Sequence, residues 1–400
     1  MLYLIGIIIT FFLAVLLLTK RNKSEADNIL TTWLFLIGVH LSFYYLHYSG
    51  NHVAYPFLLG LELPLPFVHA PLLYLYTASL TNQSKHKKYR FLHFLPILFI
   101  YILFFSFLTS SNANKLYVYL NQGINYQIHL QVIYFVIIIS GLCYIFLALL
   151  LIKKHKNNIV NNFSYTENIT LNWLRYIIVG LILIWVMIIV GNDYLIFSAV
   201  VLYVIFIGYF GIKQVGIFTQ TQAFNQNSNN NALHFNINSG KLQTLNPRDN
   251  EEAEELSRVD IKDQELNLEQ DFVKYQKSSL NEPVIKEIHQ KIVLIMQSEK
   301  LYKNPTLTLS ELARRLDVQS NHLSQIINSI EKKNFFDYIN SQRVEEFKAI
   351  VTFPENRKFT LLYLALECGF NSKTSFNRNF KKVTNLSPSE YLNKRNIELT

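Results

Sequence analysis

The chain has 400 residues, of which 50% are hydrophobic and only 16% charged, against roughly 25% charged in an ordinary soluble domain. That balance excludes a wholly soluble or intrinsically disordered protein. The formal charge of +9 suits a nucleic acid or an anionic membrane surface equally well, so the placement of the charges has to decide.

Residues 2–18 carry no charge, and about 20 apolar residues cross about 30 Å of hydrocarbon, so this run reads as a first spanning helix. Lys20, Arg21 and Lys23 follow the run, whereas a secretory signal carries its positive charge in front. Six further spans are expected at about 29–48, 53–80, 91–108, 132–152, 173–190 and 194–212. Basic residues in short loops stay on the cytoplasmic side. Loops one, three and five hold ten of them: Lys20, Arg21, Lys23; Lys85, Lys87, Lys88, Arg90; and Lys153, Lys154, Lys156. Loops two, four and six hold only Lys115. This predicts a multi-pass membrane protein with its N-terminus outside and everything after Lys213 in the cytoplasm.

Within the expected spans His40, His47, Glu62 and His69 are polar, and such groups cost enough in lipid to be candidates for sensing a ligand or a proton. The competing reading is a set of satisfied bundle contacts. Pro64, Pro66 and Pro71 interrupt the third span and can open a cavity there. Arg175 opens the sixth span, where snorkelling accounts for it. No catalytic or metal-ligating constellation emerges. Cys143 and Cys368 share no CxxC or Cys/His spacing, so no zinc site, disulfide framework or cofactor is expected.

After Phe218 the composition turns to Gln and Asn, then to an acidic run including Glu251, Glu252, Glu254 and Glu255. Residues 219–282 therefore read as a flexible linker between a membrane domain, 1–218, and a cytoplasmic domain, 283–400. From Pro283 onward there are 18 basic and 12 acidic residues, a net of +6, with apolar positions at helical spacing.

Two stretches of this domain resemble each other. One runs from Leu307 to Ile327 and the other from Phe359 to Phe380. The offset is 52 for Thr308/Thr360, Leu312/Leu364 and Ala313/Ala365, and 53 for Leu323/Phe376, Gln325/Arg378 and Ile327/Phe380. Register kept within each helix, with one residue gained in the turn, predicts two helix-turn-helix units, at about 308–330 and 360–384, joined by a helix at about 335–352. Thr308 with Glu311 has the form of a capping box, and Gly369 suits a left-handed turn. Leu323, Ile326, Ile327, Phe376 and Phe380 face the core. Asn321, Ser324, Gln325 and Asn328, and then Lys373, Thr374, Asn377, Arg378 and Lys381, face outward. Amides and guanidinium groups read adenine and guanine edges in the major groove.

Residues 284–396 resemble the AraC-type DNA-binding domain, most specifically in Asn334-Phe-Phe-Asp-Tyr-Ile-Asn-Ser-Gln-Arg-Val-Glu-Glu-Phe-Lys, in the stretch from Gly369 to Lys382, and in Ser387-Pro-Ser-Glu-Tyr. By that likeness Asn321, Ser324 and Gln325 match base-reading positions of the first recognition helix, and Lys373, Thr374, Asn377 and Arg378 those of the second. Gln319-Ser320 stands where the family commonly has Ser-Pro, which predicts a first recognition helix capped by Ser320. Lys332 and Asn385 stand where the family has glycine.

Together these features imply an all-α, membrane-bound, one-component transcription regulator of the kind common in Bacteroidetes-type bacteria. Its expected partners are double-stranded promoter DNA, the lipid bilayer, RNA polymerase, a second copy of the chain, and an unnamed signal ligand. A sensor kinase lacks its phosphate-cradling glycine cluster, and an intramembrane hydrolase lacks a partner for Asp193. A transporter fused to a regulator would show a repeated pair of broken helices.

Overall fold

The computed structural model describes residues 1–84, 87–166, 171–190, 192–227 and 281–397. Most of the expected linker, residues 228–280, therefore lies outside the described residues, as do Lys85 and Gly191. The regular elements among the described residues are all helical. The chain divides into two compact units, Met1–His155 with Leu171–Asn231, and Lys156–Thr170 with Ala232–Thr400.

The first unit contains α1 (Leu2–Thr19), α2 (Glu25–Tyr48), α3 (Pro66–Leu80), α4 (Leu95–Leu103), α5 (Phe105–Leu108), α6 (Asn112–Leu120), most of α7 (Gln127–Asn162), α8 (Asn172–Val190) and α9 (Asp193–Asn227). Five of these are long and apolar enough to cross a membrane: α1, α2, α7, α8 and α9 over Asp193–Phe210. Ser24 and Asp27 form a capping box that starts α2 sharply, with Lys20 paired to Asp27 at 2.8 Å.

The third and fourth expected spans differ from the sequence reading. Over 53–80 only α3 is a continuous helix, with 15 residues and a length of about 22 Å at 1.5 Å per residue. Gly60, at φ 91°, and the prolines at 64 and 66 hold the preceding stretch in turns, and Pro66 starts the helix. Over 91–108 the chain begins in 3-10 turns, Lys87–Phe94, and then steps between α4 and α5 at Phe104.

Contacts made by and around the broken segments fall at two ends of this unit. At one end Arg90 pairs with Glu25, and Gln83 Nε2 donates to the Leu151 carbonyl at 2.8 Å. At the other end Tyr3 donates to the Tyr194 carbonyl at 3.4 Å, His47 meets Glu62 at 3.4 Å, and Lys115 Nζ donates to the Phe57 carbonyl at 3.4 Å. Arg90 and Glu25, and Gln83 and Leu151, are thus drawn together at one of these ends. Trp33, Leu34, Leu41, Leu73, Leu174 and Val204 form the centre of the core. A Cβ at Gly6 would collide with Val201, so a residue without one lets α1 and α9 approach closely.

The second unit contains α10 (Glu282–Ser298), α11 (Leu309–Arg315), α12 (Ser320–Ile326), α13 (Phe335–Ile350), α14 (Leu361–Glu367), α15 (Lys373–Thr384) and α16 (Pro388–Lys394). α10 begins one residue before the expected boundary, with Pro283 in its first turn. α13 serves two cores. Phe335, Tyr338 and Ile339 pack with Leu312, Leu323, Ile326 and Ile327, while Val344, Phe347 and Val351 pack with Leu364, Phe376, Phe380 and Tyr391. One amphipathic helix therefore holds both helix-turn-helix units, and each keeps its own apolar centre.

Candidate nucleic-acid interface

Helix starts in the second helix-turn-helix unit are closed by side chains. Thr360 Oγ accepts from the Tyr363 amide at 3.2 Å, and Ser372 Oγ accepts from the Ser375 amide at 3.1 Å. α15 ends at Asn385 in the left-handed conformation, φ 58°, which an asparagine tolerates. Ser387 and Glu390 then form a capping box for α16. Gly369 has φ 96°, and a Cβ there would lie 2.5 Å from the Tyr302 carbonyl oxygen. The turn of the second unit thus presses against a loop of the first.

The first unit is closed less completely. Thr308 Oγ accepts from the Glu311 amide at 3.1 Å, but the Glu311 carboxylate meets Asn304 Nδ2 at 3.5 Å instead of completing the expected box. Ser320 does not cap α12. It is the first helical residue, Gln319 stands at the cap without a side-chain bond, and Ser320 Oγ faces Ser310 Oγ at 3.5 Å. After Ile326 the backbone widens into a π-helical turn, Ile327–Glu331, and exits through Lys332 at φ 55°.

These differences decide what each recognition helix presents. On α15 Lys373, Thr374, Arg378 and Lys381 are exposed and Asn377 is half-buried, while Phe376 and Phe380 are fully buried, as their spacing predicts. On α12 Asn321 is exposed, but Ser324 and Gln325 are buried at 9% and 8% exposure. The outward face expected for Ser324, Gln325 and Asn328 is therefore not present. Six consecutive residues, Leu323 to Asn328, are buried, so beyond its first turn, where Asn321 is exposed, the helix has no solvent face.

A fixed polar frame lies between the two units. Glu346 receives Lys300 at 2.9 Å, Lys303 at 2.8 Å and the Tyr302 hydroxyl at 3.0 Å. Burial pushes its carboxyl up, but the bonds from Lys303, Lys300 and Tyr302 outweigh it and hold the group below the ordinary carboxylate range. Its contribution to stability is therefore present above the ordinary carboxylate value and is lost as pH falls through the lowered one. The Cys368 thiol in the same region is pushed up to about 12, first by burial and then by Glu346. Arg343, which the sequence reading passed over, is 1% exposed and donates to the Tyr302 carbonyl at 2.7 Å and the Asn304 carbonyl at 2.8 Å.

In the first unit the four intramembrane candidates separate into two pairs. His40 Nδ1 and His69 Nε2 lie 2.9 Å apart with their rings stacked, at a cavity of about 430 Å³ also lined by Trp33, Trp185 and Asp193. Both indole nitrogens and His69 Nδ1 are buried without a partner among the described residues. His47 and Glu62 meet instead at the bundle end, beside His52 and Tyr119. Among the described residues no group of three or more His, Cys, Asp or Glu side chains is placed to hold a metal ion.

Residues 312–394 match the helix-turn-helix domain family, of the AraC type. HTH-type transcriptional regulators of Staphylococcus aureus strains COL, MSSA476 and N315 are each 32% identical over 92 residues. That stretch is 23% of this chain and spans only 12% of the length of each relative. No solved structure matches the chain. The family match and the relatives support a DNA-binding transcription regulator.

Proposed function

We propose that the chain is a membrane-bound, one-component regulator in which a seven-pass bundle senses a stimulus and the C-terminal domain binds promoter DNA. The observation that carries the DNA-binding part is α15, whose Lys373, Thr374, Arg378 and Lys381 stand exposed over a buried Phe376/Phe380 face. Arg378 reads a guanine edge, Asn321 and Asn377 read neighbouring bases, and Lys381 contacts phosphate. Ser324 and Gln325 join the interface only if α12 is uncovered.

Seven passes are favoured over five by the basic cluster around Arg90. With only the five long helices crossing, Lys87, Lys88 and Arg90 would sit on the side opposite Lys20 and Lys153, against the usual retention of basic loops in the cytoplasm. The Glu25–Arg90 pair and the Gln83–Leu151 bond group these loops at one end instead. A reporter active only in the cytoplasm should work when placed between Ser84 and Arg90, where five passes would make it fail; under either topology it should work after Phe218 and fail between Ser110 and Asn121.

The His40–His69 pair and its cavity are the sensing site in this reading, and His47 with Glu62 forms a second polar contact at the outer end. Genome-wide immunoprecipitation of the intact protein tests the whole proposal, with RNA polymerase recruitment and self-association read at the recovered promoters. Recovered fragments should share one motif, and Arg378→Ala should scatter them. His69→Phe should change promoter output at unchanged membrane level and DNA affinity. Fragments without a common motif would overturn the regulator reading, and an unaltered output from His69→Phe would remove the sensing site alone.

A further inference from the structure

Between α7 and α8 the chain makes a short extended run, Phe163 to Thr166, that packs within the same compact unit as the helix-turn-helix domain. Phe163 forms an antiparallel bridge with Thr308, and the Ser164 amide donates to the Leu307 carbonyl at 3.1 Å. The Ser164 carbonyl accepts from Asn340 Nδ2 at 3.0 Å and from Arg343 Nη1 at 3.1 Å, and Ser164 Oγ accepts from Arg343 Nη2 at 3.1 Å. Thr166 Oγ accepts from Arg378 Nη2 at 3.1 Å. We infer that the helix-turn-helix domain carries a docking site for this segment of its own chain, and that the docked segment competes with DNA for Arg378.

Arg343 shows that the site is built for an occupant. A guanidinium has five N–H donors and no acceptor, and a buried one without partners is strongly unfavourable. Here Nε serves Tyr302, Nη1 serves Asn340 Oδ1 at 3.2 Å and the Ser164 carbonyl, and Nη2 serves Asn304 and Ser164 Oγ. Residue 164 supplies two of these acceptors. Ser164 thus offers this buried guanidinium both a carbonyl and a small hydroxyl. Ser164 is 0% exposed, so no larger side chain fits its place without moving the wall.

The same placement reaches the recognition surface. Arg378 lies 5.7 Å over the Phe336 ring with one Nη on Thr166. Thr166 takes one Nη2 hydrogen and, with the Phe336 ring, holds the guanidinium in place, so swinging Arg378 out to a base edge gives up that bond. Residues 163–166 continue directly from the helix that the proposed function places across the membrane. Whatever withdraws them frees Arg378, and by reciprocity DNA on Arg378 loosens the segment. The coupling therefore needs no rigid path through residues 228–280.

The competition rests on the DNA-binding reading, and the docking itself does not. The test uses the full chain in lipid nanodiscs with Cys143→Ser, Phe163→Cys and Thr308→Cys. An antiparallel bridge brings Cα atoms to roughly 4.5–5.5 Å, within disulfide range. Because no promoter is identified, the probe is a random-sequence duplex of about 30 base pairs at low salt. The disulfide should form under mild oxidation without DNA, form more slowly once duplex is present, and weaken duplex binding about tenfold relative to the reduced protein. Thr166→Val, nearly isosteric and free of the cap at Thr308, should bind duplex several-fold more tightly than the parent. Absence of the cross-link without DNA overturns the docking site. Equal duplex binding by oxidised and reduced protein, or by Thr166→Val and the parent, overturns the competition. A reduced protein that forms the cross-link yet never binds duplex would overturn the regulator reading and leave the docking intact.

Discussion

Leu312 and Leu364, Ala313 and Ala365, Leu323 and Phe376, and Ile327 and Phe380 occupy equivalent places in the two helix-turn-helix units, and all eight side chains are buried. Outside that shared core the units part company. The second recognition helix runs regularly for 12 residues from a serine cap, and its basic side chains stand in solvent. The first runs for seven residues, lacks a side-chain cap, widens into a π-helical turn and is enclosed from Leu323 to Asn328. Duplicated cores thus tolerate little change, because packing fixes every position, whereas the faces they support diverge freely. The second unit is the one whose recognition helix keeps an exposed polar face.

The largest effect expected from this comparison is on the core of the second unit. Phe376 packs against Phe347, Phe370 and Phe380, with ring centroids 4.6, 5.2 and 5.4 Å away. Phe376→Ala should lower the local stability of the second unit by about 3–5 kcal/mol. Hydrogen exchange in the intact protein should show the loss in α14 to α16 and spare α11 and α12, whose core is separate. Uniform loss across both units would mean that α13 couples them into one cooperative block.

The faces should differ by a smaller amount. Arg378→Ala should cost about 1–3 kcal/mol in specific binding and relax preference at one base pair. Gln325→Ala, at the equivalent position of an enclosed helix, should change binding far less. Equal penalties, measured by titration against a promoter recovered by immunoprecipitation, would show that α12 opens on DNA. Lys381→Ala should weaken all sequences alike and reduce the salt slope by about one.

How much of this was legible in sequence depends on whether a position takes part in a period. The apolar repeat was readable because buried residues recur at helical spacing in both units, and the left-handed exits at Lys332 and Asn385 were implied by the resemblance, which has glycine at those places. The enclosed face of α12 was not readable. Ser324, Gln325 and Asn328 are polar, and polarity alone does not reveal that other parts of the fold cover them. Arg343 stands among Ile339, Val344 and Phe347, where a lone arginine reads as a solvated edge. Its partners are mostly backbone carbonyls, at Tyr302, Asn304 and Ser164, which have no side-chain signature. In the bundle, hydropathy marked seven apolar stretches but could not show that turns around Gly60 and Phe104 shorten two of them.

The finest distinction between the units lies in their helix starts. Ser372 Oγ accepts from the Ser375 amide at 3.1 Å and so satisfies one of the amides left open at the start of α15. Alanine there removes the acceptor and should cost about 1 kcal/mol. Ser320 makes no such bond, since it already lies inside α12 and its hydroxyl faces Ser310 at the long distance of 3.5 Å. Ser320→Ala exchanges an indifferent helix former for the best one, so its effect should stay within a few tenths of a kcal/mol and favour the helix. Exchange protection of the amides at residues 374–376 and 321–323 reads the two starts separately. Comparable losses at both would mean that Ser320 caps α12 in solution and that the two units begin their recognition helices alike.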